Sequence, residues 1–64
     1  MAVRYPLAWV KLARFCELSG YTRYAVHAKM RRGVWADGIH YRRAPDGHVM
    51  INLEAYDAWV QSAA

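Results

Sequence analysis

LARFCELSGYTRYAVHAKMRRG, residues 12–33, decides the fold. Leu12, Phe15 and Cys16 stand at i, i+3 and i+4, which makes one apolar stripe of a short helix over residues 11–18 and turns Arg14 and Glu17 outward. Ser19 and Gly20 break it, and glycine suits the left-handed stop at a helix end. Thr22 follows as an N-cap for a second helix, Arg23 to Arg32, because its hydroxyl can accept from an amide of the first turn. In that helix Val26 and Met30 are one turn apart and face the core. Gly33 ends it, with Arg31 and Arg32 in the last turn, where cations favour the helix dipole. Two short helices about four residues apart, with glycine in the turn, form a helix-turn-helix candidate.

Downstream the periodicity changes. Residues 39–53 alternate, interrupted by Ala44-Pro45-Asp46-Gly47-His48. Pro45 presets the first turn position, Asp46 takes the second, and Gly47 supplies the positive φ of a bulged three-residue loop. Such a loop sets Tyr41 opposite Ile51 and Arg43 opposite Val49. Ile39, Tyr41, Val49 and Ile51 then share the core face, and His40, Arg42, His48 and Met50 face the other way. Asn52 caps a last helix whose inner stripe is Leu53, Tyr56, Trp59 and Val60. Val10, just ahead of the first helix, adds a short third strand to the hairpin. The expected fold is therefore a small α+β winged helix-turn-helix: short strand, two helices, β-hairpin wing, C-terminal helix. One domain spans residues 1–64, with the first eight or so loosely ordered.

Composition narrows what such a domain can do. Sixty-four residues form a thin core and no deep enclosed pocket, which argues against an enzyme. One cysteine excludes an internal disulfide, and without a second, no paired-cysteine zinc ribbon is possible. Cys16 lies on an apolar stripe, where a small buried residue is the ordinary reading. His40 and His48 share a face but are not opposite each other, and no third ligand is evident. Neither a metal, a cofactor nor a Cys–His nucleophile is expected. The run Leu7 to Val10 is too short for a signal peptide or a membrane span, so an intracellular, cytoplasmic protein without membrane contact is expected.

The charge is unevenly placed. The chain carries nine Lys and Arg against five Asp and Glu, a net of +4. Between Thr22 and Arg43 lie Arg23, Lys29, Arg31, Arg32, Arg42 and Arg43 against Asp37 alone, so the surplus belongs to the second helix and the wing. These are the two elements a winged helix offers to double-stranded DNA, the helix in the major groove and the wing along a neighbouring groove or backbone.

At this point the residues carry a family resemblance. The order and spacing of Val10-x-Leu12-x-x-Phe15-Cys16-Glu17-Leu18-Ser19-Gly20-Tyr21-Thr22, Ala25-Val26, Arg32-Gly33-Val34-Trp35, Ala44-Pro45-Asp46-Gly47 and Ile51-Asn52-Leu53-Glu54-x-Tyr56-x-x-Trp59-Val60 resemble the phage and prophage excisionases, over roughly residues 9 to 61. The resemblance implies a recombination directionality factor of the bacterial host cytoplasm. Such proteins bind repeated sites in an attachment-site arm, often cooperatively through self-association, and bend the DNA. They help a tyrosine integrase assemble the excisive complex during viral genome excision. Some relatives also repress phage promoters, so a small repressor using the same surface is the nearest rival reading. A rival of another class is a protein-interaction module whose charge merely solubilises it.

On the second helix Tyr24, His27, Ala28 and Arg31 share a face away from Val26 and Met30, with Arg23 at its N-terminal edge. Arg23, Tyr24 and His27 are nearest the end of a recognition helix that reaches base edges. Against this, Tyr24 could pack under the first helix and His27 could simply be solvated. Ala28 would allow close approach or meet a thymine methyl. Thr22 is a cap first and a phosphate contact second, and Lys29, Arg31 and Arg32 make non-specific phosphate contacts or none. On the wing, Arg42 is the candidate for backbone or minor-groove contact, with Arg43 near the tip and His48 as a weaker, pH-dependent partner. Trp59 is expected in the core, and Trp35 to anchor the connection between the second helix and the wing. Trp9 and the exposed part of the last helix are left as alternative places for the protein contacts that cooperative binding requires.

Overall fold

The computed structural model describes residues 8–62, and the first residues, expected to be loosely ordered, lie largely outside it. Among the described residues the order is β1 (Trp9–Lys11), α1 (Leu12–Ser19), α2 (Arg23–Arg31), β2 (Tyr41–Arg43), β3 (Val49–Asn52) and α3 (Leu53–Gln61). It is a small α+β fold, with one antiparallel sheet in the order β1-β3-β2.

Local chemistry sets most element ends where the residues place them. Gly20 ends α1 at φ 83°, and its N–H donates to the Cys16 carbonyl at 2.9 Å. Thr22 Oγ1 accepts from the Ala25 amide at 3.1 Å, capping α2. Asn52 Oδ1 caps α3 by accepting from both the Glu54 and Ala55 amides. At the hairpin tip, Gly47 takes φ 89° while Ala44 and His48 close the loop at 2.8 Å. The register is the one that loop dictates: Tyr41 opposite Ile51 and Arg43 opposite Val49. On the other side of β3, Val10 pairs with Ile51 and Lys11 with Met50.

Alternation therefore puts Val10, Ile51 and Tyr41 in a row on the inner face, and Lys11, Met50 and Arg42 in a row on the outer one. Against the inner face lie α1 and α3, with α2 packed on α1, and Leu12, Phe15, Val26, Trp35 and Ile51 form the buried core. Aromatic rings fill its centre edge to face: Phe15 meets Tyr56 at 4.9 Å between centroids, and Trp35 meets Trp59 at 5.5 Å. Such contacts add roughly 0.5–1.5 kcal/mol each beyond area burial.

Three expectations need correction. Ile39 was expected on the core face but is 57% exposed, because Asp37–Gly38 makes a turn of its own, with Gly38 at φ 89°. The strand consequently starts only at Tyr41. His40, expected to face outward from the hairpin, instead stacks on Trp35 at 6.3 Å and 19°. Its Nδ1 accepts from the Ala36 amide at 2.9 Å, so the ring braces the connection after α2. Val60 was expected on the inner stripe of α3 and is 46% exposed; Leu53, Tyr56 and Trp59 pack against the core, and Val60, about 100° further round the helix than Trp59, turns off that stripe.

Candidate nucleic-acid interface

Helix α2 is short and held on one side only. Val26 is fully buried, and Met30 packs beside it against the core. The opposite side carries Tyr24, which is 77% exposed and so does not tuck under α1. The Arg31 guanidinium lies over the Tyr24 ring at 5.9 Å, two turns further along the same face. Ala28 sits between them, His27 is half-buried at the edge of this face, and Arg23 is exposed at the first turn. Arg32 forms the C-cap and is exposed.

The hairpin presents a second basic strip. Arg42 is exposed on the outer face of β2, in register with Met50. Arg43 folds toward the tip, where its Nη1 donates to the Gly47 carbonyl at 2.8 Å. His48 is not a free cation site: its Nδ1 lies 3.1 Å from Asp46 Oδ2, and its amide donates to Asp46 Oδ1 at 3.0 Å. The His48 amide and ring together hold the Asp46 carboxyl below the usual carboxylate range.

Pairing is as uneven as the charge. Among the described residues the ion pairs are Arg14–Glu17 and His48–Asp46. The five exposed arginines of α2 and its cap and of β2 (Arg23, Arg31, Arg32, Arg42 and Arg43) make none. Acidic groups are thus engaged at the hairpin tip and on α1, and the guanidinium groups of these two segments have no carboxylate partner, Arg43 being bonded to the Gly47 carbonyl instead. No cluster of three or more metal-binding side chains exists among the described residues, and no helix among them is long and apolar enough to cross a membrane.

A family model described as "Putative excisionase (DUF1233)" matches residues 2–64. The chain belongs to this family. Membership gives it an excision-related role and agrees with the excisionase resemblance carried by residues 9 to 61. No curated protein and no solved structure matches the chain.

In this excisionase-family domain one placement differs from what spacing alone suggests, and one open position is filled. Lys29, grouped with the phosphate-contacting residues of the second helix, turns away from Tyr24 and Arg31. Its Nζ lies 5.0 Å from the Tyr21 ring centroid and 5.6 Å from that of Trp59, on the α3 side. Trp9, left open by the residues, lies beside Arg42. With Arg43, Ala44, Pro45 and Met50 these two line a shallow cleft of about 300 Å³ on the outer face of the sheet. The signal for that neighbourhood was the pairing of β1 with β3, which sets Trp9 opposite Asn52.

Proposed function

We propose that this excisionase-family chain is a non-enzymatic, winged helix-turn-helix protein that binds a specific site in double-stranded DNA. In this reading α2 is the recognition helix and the β2–β3 hairpin is the wing. The observation that carries it is the set of five exposed arginines on these two segments that no carboxylate neutralises. Guanidinium groups free of carboxylates are suited to phosphates and to the O6 and N7 edge of guanine.

Electrostatic capture comes first, with release of counterions from the duplex. The face of α2 then enters the major groove. Arg23, Tyr24 and His27 meet base edges, Ala28 lets the backbone approach, and Arg31 and Arg32 reach flanking phosphates with Thr22 at the helix start. Arg42 contacts the backbone or minor groove along the wing, with Arg43 near its tip; His48, engaged by Asp46, adds little. Lys29 is not part of this surface. Adjacent copies bend the attachment-site arm and position a tyrosine integrase for prophage excision in the bacterial cytoplasm.

The test is a gel-shift titration on the attachment-site arm of the element that encodes the protein, beside a scrambled duplex, at two salt concentrations. Stepwise complexes on the arm that survive salt better than those on the scramble are expected, followed by stimulation of integrase-mediated excision. Equal binding to both duplexes that vanishes as salt rises would leave only counterion release and overturn the specific role.

A further inference from the structure

The face of the domain that carries Lys29 has a chemistry of its own. Lys29 lies two residues from Arg31, roughly 160° around the helix from it, so the two side chains leave α2 on nearly opposite sides. Its ammonium rests against the faces of Tyr21 and Trp59 and makes no ion pair among the described residues. Ring faces attract a cation without neutralising it, and partial burial strengthens its pull on an anion beyond that of an exposed lysine.

The two rings under this ammonium, Tyr21 and Trp59, also wall an open, mostly apolar depression of about 460 Å³, completed by Tyr56, Val60 and Ser62. Val60, 46% exposed, is a β-branched apolar residue on the last turn of a helix, directed toward solvent rather than the core. Aromatic walls with an aliphatic rim suit a bulky apolar side chain, and an unpaired cation at the edge suits a carboxylate beside it. A DNA phosphate would satisfy the cation and leave the apolar walls without a partner. A protein segment can satisfy both.

We infer that the depression between Lys29 and Val60 docks an acidic segment of another protein, one in which a carboxylate stands next to a leucine or aromatic side chain. Such a surface lets the domain hold a protein partner while the Tyr24–Arg31 face is engaged elsewhere. The unpaired Lys29 ammonium selects an acidic partner segment over a neutral or basic one.

The probe is the acetylated, amidated pentapeptide Asp-Leu-Phe-Glu-Leu, titrated into the isotope-labelled chain and followed by amide and side-chain NMR shifts. Saturable shifts confined to Tyr21, Lys29, Trp59 and Val60 are expected. The Asn and Gln analogue of the peptide should bind at least tenfold more weakly. Lys29→Met keeps an apolar stem on the rings and removes the charge, and should weaken binding at least fivefold. Val60→Gln changes an exposed position without altering charge, and should weaken it at least threefold with an unchanged melting temperature. Four results overturn the inference: no saturable shift at millimolar peptide, shifts centred on Arg23 and Arg31 instead, equal affinity for the neutral analogue, or parent affinity in both variants. Shifts on dilution of the protein alone would give the depression to a second copy and also overturn it. None of these measurements involves DNA, so this inference and the DNA-binding reading stand or fall separately.

Discussion

Trp35 is the largest fully buried side chain and the one on which the relation between α2 and the hairpin depends. It touches Phe15, Tyr21, Tyr56 and Trp59 edge to face and His40 by stacking. Yet its indole N–H is buried with no acceptor among the described residues. Two substitutions separate these features. Trp35→Ala removes roughly 200 Å² of buried surface, about 5 kcal/mol at about 25 cal/mol/Å², in line with the ~3–5 kcal/mol typical of Trp→Ala. A domain of this size has about 3–10 kcal/mol of stability in total, so the variant should be largely unfolded at room temperature.

Trp35→Phe is different. The smaller ring loses about 1 kcal/mol of transfer energy and leaves roughly 40 Å³ unfilled, worth about 1 kcal/mol more. It also removes an orphaned donor whose burial costs about 1–3 kcal/mol. These terms nearly cancel, and Trp35→Phe should lie within about 1 kcal/mol of the parent. Urea unfolding followed by circular dichroism at 222 nm measures both variants without relying on the altered fluorescence. A loss of 3 kcal/mol or more in Trp35→Phe would mean that the indole N–H is well satisfied in solution, and would refute the reasoning.

Other perturbations test separate links. Thr22→Ala removes the α2 cap and should cost about 1 kcal/mol, lowering the melting temperature by about 4–8 °C; an unchanged melting curve would mean the cap is replaced. On the DNA-binding reading, Arg42→Gln removes one phosphate contact and should reduce the slope of log K against log salt by about 0.9, evenly across sequences, in filter-binding assays. A loss restricted to particular base pairs would reassign Arg42 to direct readout. The Asp46 carboxyl, held low by His48, contributes stability in full above the ordinary aspartate pKa of about 3.9 and loses it as pH falls through its lower folded value. Asp46→Asn should therefore be less stable than the parent at pH 7, with the gap closing in strong acid. A gap that stays constant with pH would place the effect in the turn geometry.

The features that residues reveal by themselves are those set by neighbours in the chain. Gly20, Thr22, Gly47 and Asn52 act on backbone groups within four residues, so their hydrogen bonds and left-handed turns are decided before any packing occurs. The Pro45-Asp46-Gly47 loop likewise sets the hairpin register and, through period two, the inner position of Ile51 and the outer position of Arg42. Ile39 was readable too, because Asp37–Gly38 is a turn signal that the longer alternating pattern obscured. The exposed arginines of α2 and β2 follow from helical and strand periodicity alone.

Long-range packing decided the rest. Nothing local tells which of two adjacent stripe residues the core will take, and here it takes Trp59 and leaves Val60 46% exposed. Likewise Lys29 has the same composition cue as Arg31, and only folding brings Tyr21, from the turn before α2, and Trp59, from α3, beneath its ammonium. His40 belongs by alternation to the outer face, yet the turn before it and the indole of Trp35 draw it in. Trp59, thirty residues beyond Lys29, reaches it only once the chain is folded, and His40 is drawn in by near neighbours, Trp35 and Ala36, because the indole is itself buried in the core.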